Sequence, residues 1–316
     1  MKFKVVVIGT GFGRRIVAPA FEALGHGVQL ISPRDVSAIR QAVAAPCDLV
    51  SIHSPPFLHL EHVRLAVSHG RAVLCDKPFG RNADEAGEML ELATRACVLH
   101  YLNFEFRCDR LRRQMKQLLD NGAIGRPLHL TSSMFISSGR KAPHGWLFDR
   151  DRGGGWIGAF ASHHIDALHW QFGEIESVSC LPRIDVPVRP GRRDAEGEMC
   201  QATAEDGFTA CFKLKNGVTS TLESSCTSAV DITPQMVLFG TAGVLQLVHG
   251  KELLLLRPEQ EPERFPGDSD ANPVRAAQER WLDKVRRAVQ SGQQTGPDFA
   301  SGLACARILD AMRAGG

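Results

Sequence analysis

The stretch that decides the fold is FKVVVIGTGFGRR, residues 3–15. The apolar, β-branched run from Val5 to Ile8 reads as a strand. It runs straight into glycines at 9, 11 and 13, and IVAPAFEALG (16–25) continues with helical character. A glycine-rich turn joining a first strand to a helix lets backbone N–H groups and the helix N-terminus approach a pyrophosphate closely. Arg14 stands where the third small residue of the pattern belongs, so the motif alone also fits a merely tight turn. Its place at the first strand favours a dinucleotide site formed by Gly9, Gly11, Phe12, Gly13 and Arg14.

Outward from that turn, strand-like runs alternate with helix-like segments through the first 122 residues. The strands read as 3–9, 27–32, 48–53, 71–75 and 97–102. Between them lie amphipathic stretches such as HLEHVRLAVSHG, in which Leu60, Val63 and Val67 share one helical face. This is the rhythm of a parallel sheet with helices on both faces. After NGAIGRP (121–127) the rhythm changes. One more helix-like segment, IGAFASHHIDALHWQFG (157–173), is followed by closely spaced strands: VPV, EMCQATA, FTACFKL, VTSTLESSC, QMVLFG and GVLQLVHG. Two helical segments, near 273–290 and 297–313, close the chain. The expected fold is therefore α/β: a Rossmann nucleotide-binding domain over 1–122 and, over 123–316, an α/β domain with a large, mostly antiparallel open sheet. A sheet of that size with one helical layer leaves a face to cover, and a homo-oligomer interface is a natural cover.

A chain of 316 residues, 43% hydrophobic and 23% charged, has the composition of an ordinary globular protein. A net charge of +2 and the lack of a long Lys/Arg run argue against a nucleic-acid partner, and Arg110, Arg112 and Arg113 read as a solvated helix face. The nine cysteines form no CxxC pair, which suggests free buried thiols in a reducing compartment. The apolar run at the N-terminus stops at Gly9, and no stretch is long enough to span a bilayer. The expectation is a cytoplasmic protein with a small-molecule substrate and no membrane partner.

The end of the second strand bears on which dinucleotide is bound. An acid there accepts from the 2′-hydroxyl of NAD. Here the sequence is ISPRD, with Ser32 and Arg34 ahead of Asp35. A hydroxyl and a guanidinium suit a 2′-phosphate, and Arg14 is a third candidate for it, so NADP is favoured. Asp35 keeps NAD open.

In an open parallel sheet, ligands lie beyond the carboxyl ends of the strands. Ser54, Pro55 and His59 of SPPFLH follow the third strand. Asp76, Lys77 and Pro78 of LCDKPFGRN follow the fourth, and Asn103 and Arg107 of NFEFR follow the fifth. Three strand ends thus bring polar groups to one crevice, with Lys77 expected at its nicotinamide end. His53 and His59 could suggest a metal, but no nearby carboxylate or thiol completes a ligand set, so none is expected.

With these motifs in order, and with NGAIG and GGGWIGAFASHHID (153–166) after them, the chain resembles the Gfo/Idh/MocA oxidoreductases, which include glucose-fructose oxidoreductase and inositol dehydrogenases. The resemblance covers nearly the whole chain. It implies an NAD(P)-dependent enzyme acting on sugars, cyclitols and related small molecules, and an open C-terminal sheet that supports a homodimer or homotetramer. It also implies that Lys77, in DKP where the family has EKP, touches substrate and nicotinamide ribose. His163 keeps the family's histidine position, but Ala159 occupies that of an acid four residues earlier. Asp166, matching a further family acid, lies three residues from His163 on the same helix face.

Oxidising a secondary alcohol develops a carbonyl, so a group must take the hydroxyl proton. Histidine titrates near neutrality, and a lysine can share that work or stabilise an alkoxide. His163 is therefore expected as acid/base and Lys77 as the polarising group, the alternative for His163 being a satisfied core histidine. Trp146, with His144 and Lys141, lies in the loop 139–153, which either lines the substrate pocket or is a plain surface loop. Ala159 also leaves room for two other readings: reduction of an imine or conjugated substrate, or a non-catalytic cofactor-binding sensor. A pure sensor has no need of Lys77.

Overall fold

The computed structural model describes residues 2–191, 197–268 and 273–315. In chain order, the first half contains β1 (Lys4–Ile8), α1 (Ala18–Ala23), β2 (Gly27–Ile31), α2 (Val36–Ala44), β3 (Leu49–Ile52), α3 (His59–Ser68), β4 (Ala72–Cys75), α4 (Ala83–Arg95), β5 (His100–Leu102) and α5 (Arg110–Asp120). Then come β6 (Pro127–Phe135), α6 (Ser162–Phe172), β7 (Ile175–Arg183), β8 (Val188–Pro190), β9 (Met199–Gln201), β10 (Gly207–Leu214) and β11 (Thr219–Ser225). The chain ends with β12 (Ile232–Gly240), β13 (Val244–Val248), β14 (Glu252–Leu256), β15 (Glu263–Pro266), α7 (Pro273–Ser291) and α8 (Phe299–Arg313).

The chain packs as two compact units: Met1–Cys108 with Asp151–Gly153 and Val274–Arg307, and Asp109–Arg150 with Gly154–Pro273 and Ile308–Gly316. This division departs from a single boundary at 122/123 in three places: residues 109–122 fall in the second unit, and Asp151–Gly153 and Val274–Arg307 in the first. Helix α5 packs along β14 and β15. Helix α7 joins the first unit, where Trp281, Leu282 and Val285 share a core with Val5, Val7, Leu49 and Tyr101. A sheet with helices on both faces needs a cover on each, and here the sequence-distant α7 supplies one.

In the first unit the sheet order is β2-β1-β3-β4-β5, all parallel. The strand order therefore reverses between β1 and β3. Every residue of β3 and all but the first of β1 are buried, as expected for central strands covered on both faces. Side-chain caps start four of the helices: Asp35 accepts from Ala38 N–H, Asn82 from Glu85 N–H, Asp109 from Arg112 N–H and Asp298 from Ser301 N–H.

The second unit is built on an eight-stranded sheet, β15-β14-β13-β12-β6-β11-β10-β7. Only the β6–β11 pair is parallel. Alternation sorts its residues. Phe208, Ala210, Phe212, Leu222, Leu238, Leu245 and Leu253 are buried. Val237, Phe239, Val244 and Leu254, pointing the other way, are half-buried or exposed. Strands β6, β7, β14 and β15 escape the sequence reading, and VPV begins a strand two residues early.

All nine cysteines are free. Five are buried, while Cys97 and Cys211 are exposed, contrary to the expectation of uniformly buried thiols. Among the described residues, no helix is long and apolar enough to cross a membrane.

Candidate active site

In the first unit, the glycine-rich turn and the segment after β3 flank the point where the strand order reverses, which is where open α/β sheets bind ligands. Gly9 has φ +153°, and a Cβ there would lie 2.4 Å from the His53 carbonyl oxygen. Only glycine permits that approach. At Gly11 an added Cβ would meet nothing within 4 Å, so the turn opens onto free space. The helical segment that begins at Gly13 has no side-chain cap at Phe12. Arg14 is exposed beside it.

At the end of β2, Ser32 is half-buried and accepts from Arg34 N–H at 3.3 Å, while the Arg34 side chain is exposed. Asp35 is already engaged as the α2 cap. Beyond β3, Ser54 is buried, its hydroxyl 3.0 Å from His62 Nδ1. Pro55 continues the turn in extended conformation. His59 lies underneath and does not face the open side: it is buried, with Nε2 2.8 Å from the Ser54 carbonyl. A carbonyl only accepts, so Nε2 carries the proton. Burial lowers the pKa of His59 and takes that of His62 down to about 4, so both stay neutral near pH 7. His59 thus shapes the turn.

Beyond β4, Asp76 and Lys77 are half-buried and Pro78 is buried. Asp76 Oδ2 lies 2.9 Å from His53 Nδ1, and Oδ1 accepts from Lys77 N–H at 2.9 Å and Asn103 Nδ2–H at 3.2 Å. Burial alone would raise the Asp76 pKa. The charge and hydrogen bond of His53, the Lys77 ammonium and the Asn103 amide outweigh it and hold the carboxyl below its usual range. Asn103 is buried behind Asp76 and accepts from Gln278 Nε2–H at 2.9 Å, and Arg107 is half-buried in the following turn.

In the second unit, Gly154 and Gly155 lead into one π-helical turn, Ile157–Ala161, and then α6. Gly155 has φ +113°, and a Cβ there would meet Glu205 Oε1 at 2.0 Å. The same oxygen accepts from Ile157 N–H at 3.2 Å, so a buried carboxylate fixes the start of this helix. Burial raises the Glu205 pKa against the opposing pull of Arg313 and Arg150. His163 is half-buried and Asp166 buried. The neighbouring His164 is pinned: Ser220 gives its one proton to Leu130 O, so its oxygen accepts from His164 Nε2–H at 2.9 Å. Burial takes the His164 pKa down to about 3. Ala159, at the family acid's position, carries no titratable group.

Trp146 is half-buried in the turn Trp146–Phe148. Its loop is anchored by a fully buried ion pair, Arg189 to Asp206 at 2.9 Å. Arg189 also donates to Gly139 O and Ala142 O and lies 3.4 Å over the Phe148 ring. Asp206 further accepts from Asp185 N–H and Val186 N–H.

Residues 31–104 match the family model described as "Oxidoreductase family, NAD-binding Rossmann fold", and residues 112–246 match the GFO/IDH/MocA C-terminal domain. An uncharacterized oxidoreductase of Synechocystis sp. is 30% identical over 324 residues, covering 90% of this chain and 86% of the relative. The chain belongs to the GFO/IDH/MocA oxidoreductase family. Inositol 2-dehydrogenase 3 of Saccharopolyspora erythraea is 25% identical over 341 residues, covering 100% of this chain and 94% of the relative. The solved structure of a levoglucosan dehydrogenase, in complex with NADH and levoglucosan, superposes with a TM-score of 0.89 at 19% identity, covering 100% of this chain and 97% of that one. At that identity the likeness speaks for the fold.

Membership of the GFO/IDH/MocA family makes the chain an oxidoreductase with an NAD-binding Rossmann fold, and the residues present fit such a cofactor. The open space at Gly11 and the uncapped start of the following helix suit a pyrophosphate. Three features lie outside the sequence reading. His53 was weighed only as a metal ligand, and nothing in the sequence indicates its pairing with an acid 23 residues later. The Arg189–Asp206 pair and Glu205 join segments too far apart for a local motif to reveal.

Proposed function

We propose that this protein is an NADP(H)-preferring oxidoreductase acting on a hydroxyl or carbonyl carbon of a sugar, cyclitol or similar polar molecule, with the first unit as its nucleotide-binding portion and the second as its substrate-binding portion. The observation that carries the reading is Lys77, immediately beyond β4 beside an ionised Asp76, in a chain of the GFO/IDH/MocA family. Gly9, Gly11, Phe12, Gly13 and Arg14 would hold the pyrophosphate, and Ser32 and Arg34 a 2′-phosphate. Asp35 supports that choice, because one of its carboxylate oxygens already caps α2. Ser54 and Pro55, then Asp76 to Pro78, then Arg107 would complete the binding edge, with His59 and Asn103 holding those turns from behind.

A bound nicotinamide dinucleotide supplies the acceptor or donor of hydride. The protein's part is proton and charge management. His163 takes the hydroxyl proton on an imidazole nitrogen in the oxidising direction and returns it in the other. The Lys77 ammonium stabilises negative charge on the reacting oxygen. Asp166 supports the histidine from the same helix, and Trp146 lines the substrate side. The protein acts in the cytoplasm as a homodimer or homotetramer joined through the open sheet face. Ala159 favours a second reading, reduction of an imine or conjugated system, in which an Asp/His relay is less needed.

The test is nicotinamide absorbance with NADP and NAD in parallel over sugars, cyclitols, keto-compounds and cyclic imines. Turnover that vanishes in Lys77→Met supports the dehydrogenase reading. Cofactor binding without turnover on any hydroxyl or carbonyl substrate counts against it, and turnover on imines alone moves the assignment to the second reading.

A further inference from the structure

We propose that His53 is a positioning residue for Lys77, acting through Asp76 and tying the lysine to the glycine-rich turn; the proposal rests on the oxidoreductase reading above. His53 stands at the end of β3, where the strand order reverses. Its N–H donates to Ile8 O at 2.7 Å, and its carbonyl lies beneath Gly9. Its side chain is fully buried. The backbone of His53 is thus fixed by the strand that leads into the glycine turn, while its ring points along the sheet to β4.

Protonation follows from the partners. Asp76 is held ionised, and a carboxylate only accepts, so His53 Nδ1 carries a proton. Nε2 is answered by Ser51 Oγ at 2.8 Å. Asp76 then turns its other oxygen to the backbone N–H of Lys77 and to Asn103, which Gln278 holds from α7. Residues at the ends of β3, β4 and β5 are linked through one carboxylate. Removing the imidazole leaves Oδ2 without its donor, so that Asn103 alone holds the carboxylate against rotating away from the Lys77 N–H. The lysine would lose a charge-assisted anchor at its own backbone.

The experiment compares His53→Ala with His53→Asn, whose Nδ2 takes the place of Nδ1. It measures kcat and KM, NADPH fluorescence binding, thermal midpoint, and the rate at which trinitrobenzenesulfonate labels Lys77, read by peptide mass spectrometry. In His53→Ala, kcat is expected to fall about 10- to 100-fold with KM within about threefold of wild type, the scale of a misplaced catalytic group. The Lys77 labelling rate should change several-fold, and His53→Asn should restore both. Unchanged kcat with wild-type labelling in a folded His53→Ala protein overturns the proposal. So does a loss that tracks thermal stability alone and that His53→Asn does not repair. If the wild-type protein turns over nothing, the oxidoreductase reading falls while labelling still decides this one: a change in His53→Ala that Asn reverses supports it, and no change refutes it.

Discussion

His163 and His164 are consecutive, yet their surroundings separate them. His164 is packed against Phe212 and spends its Nε2–H on Ser220, whereas His163 sits on the half-buried side of α6. His163→Ala should therefore lower kcat about 10²- to 10⁴-fold, the range for losing a general acid/base, as steady-state kinetics would show. His164→Gln preserves an N–H donor and should leave kcat near wild type, but it should alter acid stability. The pKa of His164 is about 3 and that of His62 about 4 in the folded chain, against 6.5 for free histidine. Between those values the unfolded state binds more protons, so stability is fully present above about pH 6.5 and is lost as pH falls toward 4. Thermal melts across that window should show a falling midpoint, with a shallower decline in His164→Gln. An unchanged slope in that variant would show that His164 is not among the groups that take up protons on unfolding.

At the scale of elements, α2 offers a test of what Asp35 does. Its carboxylate accepts from Ala38 N–H at 2.9 Å. Asp35→Ala should cost about 1 kcal/mol in denaturant melts, and Asp35→Asn much less, because asparagine caps comparably well. NADP binding should survive both. A selective loss of NAD affinity would mean that the other oxygen reads the ribose. Elements of this kind were legible in the sequence because their signals are local. The five parallel strands announce themselves by short apolar runs ending in turns, and the two closing helices by periodicity. What was not legible is what depends on distant partners. ELLLL (252–256) has no alternation to mark it as a strand, since leucines occupy both its faces, and its pairing with β13 decides the matter. The same limit hid the His53–Asp76 pair. The residues beyond each strand end could be found from the topology of a parallel sheet, but which of them bind one another could not. His59 and Asn103 consequently lie behind the turns they were expected to line.

At the scale of the whole molecule, the second unit poses the problem of its sheet's open face. The register sets Leu254, Gln246, Val237, Thr131 and Thr221 side by side across β14, β13, β12, β6 and β11. Leu256, Val244, Phe239, His129 and Thr219 form the next row, with Phe239 39% exposed. The apolar members gather on the β12–β14 side, and the threonines lie toward β11. Monomeric proteins rarely leave a contiguous apolar patch uncovered, and a second copy of the chain offers a self-complementary cover. Val237→Arg tests this cleanly. Its side chain belongs to the open face, while Leu238, Leu245 and Leu253 on the covered face keep the fold's core intact. Sedimentation velocity should show wild type as a dimer or tetramer and Val237→Arg shifted toward monomer with its circular dichroism unchanged. A wild-type oligomer that Val237→Arg leaves whole would put the interface elsewhere. A wild-type monomer would leave the exposed rows to be explained by the twist and polar edges of the sheet itself.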